Sequence, residues 1–309
     1  MTVMDYSTFA RLSRLVLAAL LLWLATGALQ AQVKPLIVII NDQQALPYQQ
    51  LIESFKASVS QARPDILIEE YSEAKTLPSS VKPSLVLALG TTALSESLQR
   101  FSDSTIVVSM ILNDRAIQGK ANVSAVFIES PALQQLEWHT RLLPGARRVG
   151  ILYDPENSQD WVDAAKLAAK KLNLEIVAVA VNSIKDMPAA LKAIGRQADS
   201  ILAIPDSTVY SSRTAKAVLL FSFRNRIPFV GLSAAWVKAG ALYALDWDYA
   251  GVGQQCATMA LKKLRASTPE VPSHELAQRQ VYQLNLKTAH QIKLDISQSL
   301  IDGASVVYK

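Results

Sequence analysis

Short apolar runs alternate with longer amphipathic stretches along most of the chain, and this alternation constrains the fold more than any other feature. The runs are Leu36–Ile40, Ile66–Ile68, Leu85–Leu89, Ile106–Leu112, Ala125–Ile128, Val149–Tyr153, Ile176–Val181, Ile201–Ile204, Phe229–Leu232 and Leu242–Leu245. Each has the predominantly apolar character of a strand buried on both faces, with Ser109 the one polar residue in Ile106–Leu112. Between several of them lie segments with helical spacing: Tyr48–Gln61, Ala93–Arg100, Pro131–Leu143, Asp160–Leu172, Met187–Arg196 and Thr214–Asn225. Strands alternating with helices imply an α/β protein with parallel sheets covered on both sides.

Ten strands would make a large single sheet. The turn Leu143-Pro144-Gly145-Ala146 divides the series more naturally, because a helix ends there and a fresh strand starts at Val149. Two doubly wound, Rossmann-like lobes joined by a hinge are therefore expected. The first takes residues 32–143 and the second takes 145–245, while periodicity alone does not assign the segments that follow to a lobe. Two such lobes leave a cleft between them that closes on a ligand by hinge bending.

Ahead of the first lobe, Arg11 and Arg14 precede the apolar run Leu15–Leu24, and small residues follow to Ala31. This three-part pattern reads as a secretory signal over residues 1–31, cleaved after Ala28 or Ala31. Ten apolar residues fall well short of the ~20 a spanning helix needs. No cysteine lies near the cleavage positions, so no lipid anchor is expected, and the mature protein is placed in the periplasm. The single cysteine, Cys256, forms no intramolecular disulfide and reads as a small buried side chain.

The chain has 31 basic and 26 acidic residues, for a net charge of +5. These charges form no long run, and nucleic acid is not an expected partner. Enzyme signals are weak. His139, His274 and His290 lack metal-ligand spacing, and there is no Gly-x-Ser-x-Gly elbow, phosphate-binding loop or strand-linked Gly-x-Gly-x-x-Gly. Neither catalysis nor a cofactor is expected.

Ligands of open α/β sheets bind where loops leave the carboxyl ends of strands. Gly90-Thr91-Thr92 leads into a helix, whose free N–H groups favour an anion; Thr91 and Thr92 are candidates for a ligand carboxylate or for a simple cap. After the next strand, Asn113 occupies the corresponding loop. In the second lobe, Tyr153 ends the Val149–Tyr153 strand as a candidate to stack on a flat ligand, and Asn157 and Ser158 after it either cap the next helix or meet a ligand. Asp206 and Thr208 follow Ser200–Ile204, and Asp206 either meets a ligand ammonium group or holds its own loop as an Asx-turn. Ser211 or Ser212 caps the following helix. Tyr210, Trp236 and Trp247 are placed to stack on a flat ligand, with Trp247 at a crossover between lobes. Trp138 and Trp161 read as helix-face core.

Several of these motifs resemble one family. Leu142–Ser158 (LLPGARRVGILYDPENS), Ala203–Val209 (AIPDSTV), Arg224–Gln255 (RNRIPFVGLSAAWVKAGALYALDWDYAGVGQQ) and Tyr282–Val307 (YQLNLKTAHQIKLDISQSLIDGASVV) are similar to the second lobe and ending of the substrate-binding proteins of ABC transporters, in the branch that includes tryptophan- and tyrosine-binding members. Gly90-Thr91-Thr92-Ala93 resembles the first-lobe ligand loop of that family. Met110–Arg115 departs from it, lacking the usual Gly-Val-Ser/Thr-Asp-Pro-like turn. The resemblance implies a type I periplasmic-binding fold, in which residues 247–277 return to the first lobe and 279–309 to the second, no catalysis, and delivery of a small molecule, such as an amino acid or related metabolite, to an ABC permease in the inner membrane; a monomer is expected. The rival reading is a periplasmic sensor or adaptor that signals to a separate membrane protein.

Overall fold

The computed structural model describes residues 34–265 and 271–309. The expected signal segment lies outside the described residues. The first half runs β1 (Leu36–Ile40), α1 (Leu46–Ala62), β2 (Leu67–Tyr71), β3 (Leu85–Leu89), α2 (Gly90–Arg100), β4 (Thr105–Ser109), β5 (Val123–Phe127) and α3 (Ala132–Leu142). The second continues β6 (Arg148–Tyr153), α4 (Pro155–Lys171), β7 (Glu175–Ala180), α5 (Met187–Gln197), β8 (Ser200–Leu202), α6 (Ser212–Asn225), β9 (Phe229–Gly231), α7 (Ala234–Ala239) and β10 (Tyr243–Trp247). The chain ends with α8 (Tyr249–Arg265), β11 (His274–Leu276), β12 (Gln280–Asn285), α9 (Leu286–Gln291), α10 (Gln298–Asp302) and β13 (Val306–Tyr308).

Two sheets form, in strand orders β11-β5-β4-β3-β1-β2 and β13-β12-β10-β9-β8-β6-β7. Every pairing is parallel except β10 with β12. The apolar runs are continuous because both faces of each sheet are covered. In β1, Ile37 and Ile39 face α1 and α8, together with Leu51, Phe55, Cys256 and Ala260. Val38 and Ile40 point the other way, among Leu94, Ile106 and Val108. The second sheet has its own core, built on Val149, Ile151, Ile201, Phe229 and Leu284.

Two differences from the sequence expectation stand out. The short strand β11 is not expected from the sequence, because His274 and its neighbours are mostly polar and exposed at a sheet edge, where period-2 patterning is weak; β13 is a short apolar run, Val306-Val307-Tyr308, at the edge of the other sheet, which the sequence reading passes over. The division at residue 143 moves upstream: α3 buries Leu136 and Leu142 in the second core, and His139 Nε2 lies 2.8 Å from Ser200 Oγ of β8. The chain thus first crosses between the halves near Ser130. It crosses again at Trp247–Tyr249 and between β11 and β12.

These crossings lie side by side and are tied together. Trp247 Nε1 donates to the Ile128 carbonyl at 2.8 Å, and Asp248 N donates to the Arg279 carbonyl at 3.0 Å. Gln280 Nε2 donates to Ser130 Oγ in a short hydrogen bond. Three adjacent connections of this kind make a hinge. Among the described residues no helix is long and apolar enough to cross a membrane.

Candidate functional site

A cavity of about 650 Å³ opens between the two sheets, at the carboxyl ends of their strands. This size suits a small ligand. From the first half come Asn113 and Arg115 after β4, Ile128–Ser130 after β5, and Leu276 at the end of β11. From the second come the start of α4, the loops after β8 and β9, and Leu245–Trp247. Leu112 and Leu276 are 44% and 46% exposed, so the first-half wall offers exposed apolar surface. A separate groove lies along α8, and within it Arg279 pairs with Asp248.

The second-half wall is organised by two buried carboxylates. Asp154 is the N-cap of α4: one oxygen accepts from Glu156 N at 3.1 Å, and the other accepts from Asn157 Nδ2 at 2.9 Å and Thr208 Oγ1 at 2.8 Å. Asp206 is 2% exposed and accepts four hydrogen bonds, from Asp154 N (2.7 Å), Ser158 Oγ (2.8 Å), Thr208 N (3.1 Å) and Val209 N (3.2 Å). An ionised carboxylate has about four lone-pair sites, and all of these are used here. Asp206 therefore locks the β6–α4 loop to the β8–α6 loop and has no acceptor left for a ligand ammonium group. Of the two sequence readings, the Asx-type loop anchor is the one the geometry takes.

The other sequence candidates separate clearly. Asn157 and Ser158 line the cavity, beside Asn113, whose Oδ1 accepts from Arg115 N at 3.2 Å. Thr208 stands behind them with Asp206. Tyr153 is 9% exposed, packs in the second core and bonds Gln159 Oε1 through its hydroxyl at 3.1 Å, away from the cavity lining. Thr91 and Thr92 are exposed within the first turn of α2, whose N-cap is Leu89, and they too are outside the lining. Trp247 borders the cavity but is 7% exposed, its indole bolted across the hinge. Tyr210 and Trp236 stack with each other and with Phe229 inside the second half and do not reach the cavity.

Trp161, which the sequence places on a core face, packs against the second core and also borders the cavity, a second role the sequence reading does not give it. It is half-buried and faces the cavity from α4. The signal was there: Asn157, Trp161 and Ala164 follow each other at helical spacing, so a face that presents Asn157 to a ligand also presents Trp161. At the cavity floor, Asp246 accepts from Trp247 N at 2.9 Å and from Gln283 Nε2 at 3.2 Å. Burial first, and the Asp246 charge second, hold the Tyr249 hydroxyl above the usual tyrosine value, so it stays protonated. The lining has no histidine and no cysteine. It offers an indole face, aliphatic surface, amides, hydroxyls and charged rims, which is chemistry for binding.

A family model described as ABC transporter substrate binding protein matches residues 49–307. An uncharacterized protein of Rickettsia prowazekii is 23% identical over 206 residues; the match spans 66% of this chain and 65% of that relative's length. Among solved structures, a ligand-free, open substrate binding protein with adhesive properties from Clostridium difficile is similar with a TM-score of 0.74, at 18% identity, over 90% of this chain and 100% of the other. An ABC domain from Streptococcus pneumonia in complex with L-Trp is similar with a TM-score of 0.62, at 18% identity, over 89% and 99%.

Proposed function

The chain belongs to the ABC transporter substrate binding protein family, and on that premise we propose that it captures one small molecule in the cleft and delivers it to an ABC permease. The observation that carries the reading is the cavity itself, whose walls come from both sheets and meet at a three-stranded hinge. A ligand held by both walls binds the closed form better than the open one, which is what a closing carrier requires.

The ligand is an amino acid or a related metabolite with a flat apolar part. Trp161 supplies the stacking face and Leu112, Leu276 and Ile128 oppose it, while Asn113, Ser130 and Asn157 supply polar partners. The L-Trp complex in a protein of similar fold supports this class.

A thermal-shift screen of the protein against amino acids, sugars, nucleosides and small anions tests the reading. A true ligand at about a hundred times its Kd stabilises the fold by about 2.7 kcal/mol. Trp161→Ala is expected to weaken that ligand roughly tenfold or more by calorimetry, in line with losing an aromatic contact. A stabilising compound whose affinity Trp161→Ala leaves unchanged removes the cleft from the mechanism; silence from every class overturns the carrier reading.

A further inference from the structure

The net charge of this chain is concentrated in one segment. Residues 187–245 contain seven basic and two acidic residues, whereas the rest of the chain contains 24 of each. Both carboxylates of the segment are engaged internally: Asp199 pairs with Arg148 at 2.7 Å, and Asp206 is the buried loop anchor.

The topology gathers these cations on one flank. α5 and α6 carry the chain from β7 to β8 and from β8 to β9, in the same direction across the sheet, while α4 runs outward from β6 to β7. Right-handed crossovers then set α5 and α6 on one face and α4 on the other. The two helices lie side by side, so closely that a Cβ on Gly195 would stand 2.4 Å from the Phe221 ring. Neither contains an acidic residue. Lys192, Arg196, Arg213, Lys216, Arg224 and the adjoining Arg226 are all exposed. None is among the ion pairs found between described residues. Between them, one helical turn apart, Leu220 and Phe223 are 40% and 49% exposed. None of these side chains lines the cleft cavity.

We propose that the α5–α6 face docks on an anionic lipid bilayer. Unpaired cations spread over two helices, with two apolar side chains among them, match a surface of negative headgroups over an acyl boundary. An acidic protein partner would have to match each cation geometrically, whereas headgroups are mobile and need no such fit. The inference is independent of the ligand in the cleft.

Vesicle flotation of the full chain is the test. Vesicles of phosphatidylcholine with about 30 mol% phosphatidylglycerol should retain the protein at low salt, and pure phosphatidylcholine vesicles should not, since the attraction is to negative surface charge. Lys216→Glu/Arg224→Glu is expected to lower retention roughly tenfold or more, and Leu220→Ser/Phe223→Ser to lower it by a smaller factor. All four positions are exposed, so an unchanged melting temperature verifies that these variants fold. Lys82→Glu/Lys120→Glu makes the same change in net charge on exposed positions of the first half and should retain binding. Equal retention on neutral and anionic vesicles overturns the proposal. So does an equal loss in the Lys82/Lys120 control, or retention on an acidic polypeptide matrix but not on vesicles.

Discussion

Asp206 looks like a ligand contact in the sequence and behaves as a structural anchor in the fold. A carboxylate after a parallel strand fits either role, and only the positions of the Asp154, Thr208 and Val209 amides decide between them. Asp206→Ala leaves these buried donors without partners and is expected to cost about 3 kcal/mol of stability, read as a shift in urea midpoint. A variant as stable as the parent but weaker in ligand binding would return Asp206 to the site. His139 gives a pH signature. Burial, only partly offset by the Asp199 charge, lowers its pKa from 6.5 to about 4. Below pH 6.5 the unfolded chain takes up a proton that the native state refuses, so stability falls as pH drops from 6.5 toward 4 and is unaffected above. The loss approaches about 3 kcal/mol at the acid end, and His139→Gln should remove most of the slope in urea titrations at pH 7 and pH 4.5. Cys256 is fully buried, with its thiol pushed up to about 12 chiefly by that burial. It should ignore a thiol reagent in the native state and react fully in denaturant.

At the scale of elements, the strand–helix alternation was legible because the central strands, such as β1, β3, β4 and β5, are sealed on both sides and so read as apolar runs. The helix starts were partly legible. Ser211 is the N-cap of α6, with its N–H donating to Thr214 Oγ1 at 2.9 Å, whereas α4 is capped by Asp154 and not by Asn157 or Ser158. Edge strand β11 was illegible, since an edge needs no apolar pattern, whereas Val306-Val307-Tyr308 of β13 carried one that could have been read. The side of α3 was illegible too: its apolar stripe states that it packs, not against which sheet. One element contact carries its own signature. Gly253 of α8 crosses α1 so closely that an added Cβ would lie 2.3 Å from the Leu51 carbonyl oxygen. Gly253→Ala should gain up to about 1 kcal/mol of helix propensity yet lose more by forcing the helices apart. A net loss of about 1–2 kcal/mol in thermal unfolding is expected, and a gain would mean that α8 shifts freely.

For the whole molecule, the cleft location followed from the carboxyl-end rule, but its lining did not. Loop position named Tyr153, Tyr210 and Trp236, which turned inward, and passed over Trp161, because direction depends on packing that no single loop encodes. If the cleft closes about the Trp247–Ile128 tie, the radius of gyration by small-angle scattering should shrink on adding a ligand from the thermal-shift screen. An unchanged radius with saturating ligand would mean binding without closure. The threading of the chain has a further consequence, for the order in which the protein is made. When synthesis has delivered β1 to β5, that sheet still lacks α8, which covers Leu51 and Phe55, and β11, which guards its edge. The half begun first cannot be finished until after the other is largely built. A chain stopped before Tyr249 would carry an uncovered oily face, a state suited to chaperones and proteases and not to independent survival.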